Sequence, residues 1–291
     1  MKSSGPVRAR CLSSNRALLL CLAEHFPALP AAGWTIRPLN GLTRESVSIE
    51  QKGVSLIGRA QTVHSADIGV SRQKEARVLH RLRDSGLAPR VAGFSHGWLL
   101  LYRVEGETLP PERMQQPDFI PQLAALVSNL HNQPRTGYRL PLKAQADRHF
   151  HLTDKRRRTP QLLRIHRHFM REAEPQPLKL APAHMDIHPG NIVTAAGELH
   201  LIDWEYAADT DIGLSLATLF RANHWSLTLI HTFLRYYSAY HCPQRVLAQT
   251  CRWQARADYM MVMWFESRWG QTGDPQFLQY PAALKAAAGL R

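Results

Sequence analysis

Residues 184–191 read His-Met-Asp-Ile-His-Pro-Gly-Asn, and this stretch decides the fold that we expect. Its Pro-Gly pair is typical of a loop. Two short apolar runs follow at 192–194 and 199–202, with residues that favour a turn between them. The pattern predicts a tight antiparallel hairpin centred near Gly197.

This hairpin predicts where three polar side chains meet. In an antiparallel ladder, positions symmetric about the turn lie opposite each other, about 4.5–5.5 Å apart. Asn191 and Asp203 are therefore expected to converge at the open end of the hairpin, within reach of Asp186 on the preceding loop. Such oxygen ligands suit Mg²⁺, which shares them with substrate phosphates. We predict Asn191 and Asp203 as metal ligands and Asp186 as the base of a phosphoryl transfer, although Asn and Asp are also common in plain turns.

The first hundred residues are predicted to form mostly β-strands. Short β-prone runs alternate there with turn residues. These runs are residues 35–39, 46–51, 54–60, 90–94 and 98–103.

One helix is predicted to interrupt these strands, from residue 72 to about residue 84. Ser71 can cap its start and Gly86 can end it. Glu75 shares the apolar face of this helix and therefore needs a partner, for which Arg59 at the end of a strand is the natural candidate. A kinase uses such a pair to hold the α- and β-phosphates of ATP. The alternative is a glutamate at the helix surface.

Beyond residue 115 the pattern becomes helical apart from the hairpin. The sequence therefore predicts an α+β protein with a β-rich N-terminal lobe, residues 1–104, and an α-rich C-terminal lobe, residues 105–291. Residues 105–111 are expected to connect the two lobes.

Composition is that of an ordinary globular protein, with 291 residues, of which 44% are hydrophobic and 20% charged. No apolar run approaches the roughly 20 residues that span a bilayer, so no membrane association is expected. The four cysteines lack the spacing of a zinc site, and reduced thiols in the cytoplasm are the expectation.

The N-terminus superficially resembles a signal peptide, because basic residues precede an apolar run. Glu24 and His25 interrupt that run, while Leu18, Leu22 and Phe26 repeat at helical spacing. We therefore predict a short amphipathic helix behind a cap at residues 14–15.

The net charge is +13, with 36 Lys and Arg against 23 Asp and Glu. Much of the excess lies in residues 135–180. A basic surface attracts polyanions, so a nucleotide- or nucleic-acid-binding protein without catalytic activity is a second hypothesis. No motif for DNA or RNA accompanies the charge, so a nucleic acid partner is not expected.

Taken together, these features resemble the aminoglycoside phosphotransferase and choline kinase superfamily over nearly the whole chain. Further motifs are similar to those of the bacterial thiamine kinase family. They are Leu-Ile-Asp-Trp-Glu-Tyr-Ala at 201–207, Asp-Thr-Asp-Ile at 209–212, Leu-Thr at 42–43 and Trp-Phe-Glu-Ser-Arg-Trp at 264–269.

The resemblance implies a protein-kinase-like, two-lobed fold and phosphorylation of an alcohol, with ATP as co-substrate and Mg²⁺ as cofactor. It supports the roles given to Asp186, Asn191 and Asp203. It also implies that Arg59 contacts the ATP phosphates, with Glu75 as its partner. The region beginning at Tyr102 would line the adenine pocket.

The sequence departs from the protein-kinase pattern at two places. Arg59 stands where a lysine is usual, and a planar guanidinium is not equivalent to a point charge. The phosphate loop, residues 40–46, contains one glycine. We expect Thr43 and the Arg44 side chain to contribute to ATP binding there.

For the acceptor, polyamine antibiotics would require many carboxylates. From residue 212 onwards the acidic residues are only Asp258, Glu266 and Asp274, whereas aromatic residues are frequent, and aromatic faces bind delocalised cations. A cationic small molecule is therefore the expected acceptor. The resemblance implies that it is thiamine, with choline, a sugar or an aminoglycoside as alternatives. The candidate acceptor-binding residues are Trp204, Glu205, Trp264, Glu266 and Trp269.

Overall fold

The computed structural model describes residues 5–39 and 46–279; for residues 5–14 and residue 279 it describes the backbone alone. The predicted phosphate loop lies mainly in the gap between the two ranges.

Among the described residues, five strands form one antiparallel sheet in the order β1-β2-β3-β5-β4. The predicted strands are confirmed, two with their predicted bounds and the others to within one residue at each end. They are β1 (Thr35–Pro38), β2 (Ser46–Gln51), β3 (Val54–Ala60), β4 (Val91–Ser95) and β5 (Trp98–Tyr102).

Helices cover both faces of the sheet, and β5 shows this in its side chains. Leu99 and Leu101 pack into a cluster with α3 (Arg72–Arg81), while Trp98 and Leu100 pack into another with α1 (Gly5–His25). Alternate residues of a strand point to opposite faces. Residues 98–101 are therefore buried in succession, because each face has a helix against it.

The N-terminal helix is present, but its predicted start is wrong. Helix α1 begins at Gly5, so Ser14 lies inside it and does not cap it. Residues 7–13 contain neither glycine nor proline, so nothing in the sequence stops the helix at residue 14.

Helix α3 starts where the sequence predicts, since the Ser71 side chain accepts a hydrogen bond from the backbone N–H of Lys74. The α-helix ends at Arg81, earlier than predicted. A 3₁₀ turn, Arg83–Ser85, continues to Gly86, whose φ of 72° ends the segment in the left-handed region.

The rest of the chain is mainly helical. Its helices are α2 (Val63–Asp67), which precedes α3, then α4 (Ile120–Asn132), α5 (Leu142–Leu152), α6 (Pro160–Arg171), α7 (Ile212–Ala222), α8 (Leu227–Tyr236), α9 (Pro243–Thr272) and α10 (Gln276–Gln279). The long α9 packs along α7 and α5, and α7, α5 and α9 share an apolar cluster.

Two small sheets flank residues 184–191, the candidate catalytic segment. The strands are β6 (Glu107–Thr108), β7 (Leu180–Ala183), β8 (Ile192–Ala195), β9 (Glu198–Leu201) and β10 (Ala208–Asp211). They form the antiparallel sheets β6-β8-β9 and β10-β7. The predicted connector thus contributes β6 to the hairpin, a pairing that the sequence did not indicate.

The hairpin is confirmed, but its predicted register is wrong by one residue. Ala195 pairs with Glu198 across a two-residue turn, so that Asn191 lies opposite Ile202 and not opposite Asp203. The turn is centred between residues 196 and 197, because both adopt positive φ, as two-residue hairpin turns often require.

None of the described helices is long and apolar enough to cross a membrane. Within the described ranges, Cys21, Cys242 and Cys251 are free thiols. The lobe boundary between residues 104 and 105 stays a prediction.

Candidate active site

The catalytic segment runs from β7 through a loop and a 3₁₀ turn, Pro189–Asn191, into β8. Met185, just before Asp186, and Asp203, just after the hairpin, have left-handed backbones with φ of 69° and 64°. Such conformations cost a non-glycine residue about 1–3 kcal/mol and concentrate at functional sites. They place Asp186 and Asp203 in the same small region.

His184 fixes the start of this loop. Its Nε2 lies 2.8 Å from the carbonyl oxygen of Ile202, and its Nδ1 accepts a hydrogen bond of 3.3 Å from the backbone N–H of Asp186. The ring is buried, and burial lowers the pKa of His184 to about 4. The neutral ring with its proton on Nε2 therefore ties the loop to the hairpin.

Asn191 holds Asp186 directly. The Asn191 amide nitrogen donates to the backbone oxygen of Asp186 at 2.9 Å and to its Oδ2 at 3.0 Å. Since the nitrogen makes both bonds, the side-chain oxygen is the Asn191 atom that could ligate a metal. His188 Nε2 lies 3.7 Å from the same Asp186 Oδ2.

The carboxyl group of Asp186 is poised to change protonation near neutral pH. Burial, together with the nearby carboxylates of Asp203 and Glu205, raises its pKa to about 7, although the Asn191 hydrogen bond opposes the shift. The side chain is nevertheless 36% exposed, so a substrate hydroxyl can reach it. These properties suit a general base.

The predicted ion pair of Arg59 and Glu75 is present, with 2.7 Å between Nη1 and Oε1. Arg59 Nη2 also donates to Asp203 Oδ1 at 2.6 Å and to Glu205 Oε2 at 2.7 Å. Although burial favours the neutral acid, Arg59 holds the pKa of Asp203 below its usual value. One guanidinium thus links the sheet, α3 and the segment after the hairpin.

Arg72 completes this charge cluster, and the sequence reading missed it. Its Nη1 lies 2.8 Å from Glu75 Oε2 and 2.8 Å from Glu205 Oε2. The side chain is fully buried. The spacing of Arg72 and Glu75, three residues apart on one helix, was the available indication.

Glu205 and Trp204 are both buried beside the site. Glu205 accepts hydrogen bonds from the two arginines. The Trp204 indole packs edge-on against His184 and donates to the carbonyl oxygen of Leu201. Trp204 thus packs against the candidate catalytic segment, and Glu205 is bound to the two arginines. Their predicted contact with an acceptor stays a prediction.

Trp264 is linked to the site through Tyr206. Its indole nitrogen donates to the Tyr206 hydroxyl at 2.8 Å. Burial and the charge of Glu205 raise the pKa of Tyr206 well above its usual value. Trp264 is one of the α9 aromatic residues predicted to bind the acceptor. Its hydrogen bond to Tyr206, the residue after Glu205, links it to the candidate site.

Glu266 and Trp269 already hold a cation, which belongs to the chain itself. Arg157 donates to both carboxylate oxygens of Glu266, at 2.6 and 2.7 Å, and its guanidinium lies 5.1 Å from the centre of the Trp269 ring. The arrangement is what a bound organic cation would adopt. The acceptor-binding role of Glu266 and Trp269 stays a prediction.

Of the further residues predicted to bind the nucleotide, the structure describes Tyr102 alone. Tyr102 is 41% exposed at the end of β5, with the Arg90 guanidinium 5.8 Å from its ring centre. Thr43 and Arg44 lie outside the described residues.

Within the described ranges, no group of three or more His, Cys, Asp or Glu side chains is arranged to hold a metal ion by itself. Asn191 and Asp203 offer two oxygen donors, and Asp203 is 39% exposed. Two hard protein ligands completed by phosphate oxygens fit Mg²⁺, which is seldom enclosed by protein alone.

Residues 66–249 match the phosphotransferase enzyme family. The chain belongs to this family, a class of enzymes that transfer phosphoryl groups.

The relatives that the chain matches in sequence carry a more specific name than the family does. The chain is 34% identical over 242 residues to thiamine kinase from Escherichia coli O9:H4 (strain HS), covering 82% of this chain and 85% of that protein. It is similar to the same degree to thiamine kinase from Shigella dysenteriae serotype 1 (strain Sd197).

Solved structures confirm the predicted fold class. A choline kinase from Streptococcus pneumoniae superposes with a TM-score of 0.73 at 16% identity, covering 92% of this chain and 96% of that chain. Plasmodium vivax ethanolamine kinase superposes with a TM-score of 0.68 at 16% identity, covering 88% of this chain and 82% of that chain. The fold is therefore the α+β, protein-kinase-like fold of these enzymes.

Proposed function

We propose that this protein is a thiamine kinase, which transfers the γ-phosphoryl group of ATP to the hydroxyl of thiamine and releases thiamine monophosphate and ADP. The similarity to thiamine kinases over 82% of the chain carries this proposal. The cluster of Asp186, Asn191 and Asp203 supports the chemistry.

In the proposed reaction, the thiamine hydroxyl oxygen forms a bond to the γ-phosphorus while the bond to the β,γ-bridging oxygen breaks. Asp186 takes the hydroxyl proton. Its pKa near 7 suits this task, because the group is partly ionised at neutral pH and still basic enough to accept a proton.

Mg²⁺, held by Asn191 and Asp203, would neutralise the phosphate charge. Arg59 is proposed to contact the ATP phosphates while Glu75 holds it, since the pair is already formed. Thr43, Arg44 and Tyr102 are proposed to complete the ATP site. A reaction that consumes ATP and a chain with free thiols fit the cytoplasm.

The acceptor is proposed to be a cationic small molecule whose ring lies near Trp264 and Tyr206. Trp264 is bonded to Tyr206, and the charges of Glu205 and Asp186 act on Tyr206. The thiazolium ring of thiamine is a delocalised cation, which aromatic faces attract.

The test is Mg²⁺-dependent release of ADP with thiamine, choline and kanamycin in parallel, with Asp186→Asn as the control. We expect turnover with thiamine alone, and its loss in the variant. Turnover with another acceptor would retain the phosphotransferase and reject thiamine. Absence of turnover with all three would contradict the proposed function.

A further inference from the structure

The buried charge cluster around Arg59 contains a second arginine, Arg72, to which the proposed reaction assigns no role. Arg59 and Arg72 face the three carboxylates of Glu75, Asp203 and Glu205. The two arginines differ in their contacts: Arg59 contacts all three carboxylates, whereas Arg72 contacts the two glutamates.

The two arginines share both glutamates. Arg59 Nη1 binds Glu75 Oε1, and Arg72 Nη1 binds Glu75 Oε2. Both also donate to the single oxygen Oε2 of Glu205, at 2.7 and 2.8 Å. Each glutamate thus keeps one arginine if the other turns away.

Arg59 is the arginine that must change partners. It now donates to Asp203 Oδ1 at 2.6 Å, and this carboxylate is the proposed metal ligand. When Mg²⁺ and ATP bind, Asp203 has to turn toward the metal and Arg59 toward the phosphates. The Arg59 hydrogen bond to Glu205 competes with that movement.

Arg72 has no such freedom. It is fully buried, its Nε donates to the backbone oxygen of Ala60 at 3.1 Å, and its backbone N–H donates to Gln61 Oε1 at 2.7 Å. Its charge is secure, because Glu75 and Glu205 raise its pKa although burial and Arg59 oppose them. An arginine fixed at three points is suited to hold a carboxylate in place.

We propose that Arg72 is a positioning residue, which retains Glu205 and Glu75 so that Arg59 and Asp203 can turn to the nucleotide and its metal. Without Arg72, the buried Glu205 has Arg59 as its remaining arginine and withdraws it from the phosphates. The role rests on the proposed use of ATP, and it holds for any acceptor.

The direct test is the affinity for Mg²⁺·ADP, measured by calorimetry without acceptor, in the wild type, Arg72→Met and Arg72→Lys. We expect Arg72→Met to weaken binding by about 10–100-fold, the range typical for loss of a residue that holds the groups around a metal site. Arg72→Lys keeps the charge but not the fork, and we expect an intermediate loss.

A second substitution separates positioning from general stability. Adding Glu205→Gln to Arg72→Met removes the carboxylate that competes for Arg59, so we expect the double variant to bind Mg²⁺·ADP more tightly than Arg72→Met alone. A role in packing alone predicts no such rescue.

The matched control is Arg221→Met. Arg221 makes a two-point ion pair, at 2.5 Å, with the buried Asp258 on α9. We expect this variant to lower the melting temperature as Arg72→Met does, while binding Mg²⁺·ADP like the wild type.

The positioning role would be overturned if Arg72→Met bound Mg²⁺·ADP with wild-type affinity. It would also be overturned if Arg72→Met and the control Arg221→Met lost affinity equally. Either result would leave the proposed function standing. Failure of the wild type to bind Mg²⁺·ADP would overturn the proposed function and the inference with it. If Arg72→Met does not fold, Arg72→Lys with and without Glu205→Gln decides by the same comparison.

Discussion

At the scale of single residues, the site depends on how each polar group is oriented. Asn191 donates to Asp186 through its amide nitrogen, and neutral His184 fixes the backbone of the same aspartate. Asp186 is thus held from two sides while part of its side chain remains exposed. This position suits the proposed role of Asp186, in which its carboxylate accepts a proton from a bound alcohol.

Asp186→Asn tests this role at the residue scale. We expect turnover to fall by at least about 100-fold, because an amide cannot act as the base. Affinity for Mg²⁺·ADP and the melting temperature should change little, since asparagine keeps the shape. Steady-state kinetics and calorimetry measure the two effects, and turnover near the wild-type level would remove Asp186 from the mechanism.

At the scale of elements, the connector and α9 each contact a distant segment of the chain. Strand β6 in the connector pairs with β8 of the catalytic hairpin. Near the C-terminal end of α9, the face that bears Glu266 and Trp269 receives Arg157 from the turn before α6. Both contacts join segments far apart in the chain.

Gly106→Ala tests the connector. A Cβ at Gly106 would lie 2.2 Å from the backbone oxygen of Thr194 and 2.8 Å from Val193 Cγ1. Because a backbone carbonyl cannot move aside cheaply, we expect a loss of about 1–3 kcal/mol in the free energy of unfolding. Urea denaturation measures it.

The control is Gly197→Ala, in the hairpin turn. Gly197 has a φ of 84° with nothing within 4 Å of a Cβ, so the substitution adds only backbone strain, about 1 kcal/mol. A smaller loss for Gly106→Ala than for Gly197→Ala would show that the close contact with β8 does not matter.

Trp269→Ala tests α9 as part of the acceptor site. If the acceptor cation takes the place of Arg157, we expect the variant to raise KM for thiamine about tenfold, as loss of up to about 2 kcal/mol of cation–aromatic attraction allows. KM for ATP should stay within about twofold of the wild-type value, because we place Trp269 outside the nucleotide site.

Arg157→Met is the companion variant, because it removes the internal competitor. It should lower KM for thiamine if the acceptor uses Glu266 and Trp269. An unchanged KM in both variants would assign these residues to packing between α9 and the turn before α6.

At the scale of the whole molecule, buried neutral histidines link stability to pH. His131 lies between the Tyr237 hydroxyl and Ser215 Oγ, at 2.7 and 3.0 Å, and His149 contacts Ser267 Oγ at 3.0 Å. Burial lowers the pKa of His131 to about 3 and that of His149 to about 4. Both rings are therefore neutral in the folded protein.

These two histidines should therefore destabilise the fold in mild acid, above the pH at which carboxylates of ordinary pKa titrate. Asp186, whose pKa is raised to about 7, contributes in the opposite direction over the same range. In the unfolded chain these histidines bind protons below pH about 6.5, whereas the folded state excludes the protons until the pH approaches 4 or 3. Stability is thus full above pH 6.5 and is lost as the pH falls, by about 2 kcal/mol per histidine at pH 5. Urea denaturation at pH 7 and pH 5 measures the loss.

His131→Gln should reduce this pH dependence, because one proton-linked group is gone. His168, which is 73% exposed, provides the control variant His168→Gln, expected to keep the wild-type dependence. Identical pH dependence in His131→Gln and the wild type would contradict the assignment.

The sequence by itself determined much of the local structure and the presence of the hairpin that follows residues 184–191. The strands 46–51 and 54–60, the Ser71 cap and the Glu75–Arg59 pair follow from alternation, capping and the need of a buried carboxylate for a partner. These features depend on residues close together in the chain, or on the need of a buried charged side chain for an ion-pair partner.

Only the tertiary structure decided the register of the hairpin, because positive φ at both residue 196 and residue 197 moved the turn by half a residue. It alone brought Arg72 to Glu205 across 133 positions and Arg157 to Glu266 across 109. Such pairs leave no periodic pattern in a sequence, since which arginine meets which carboxylate depends on how distant elements pack.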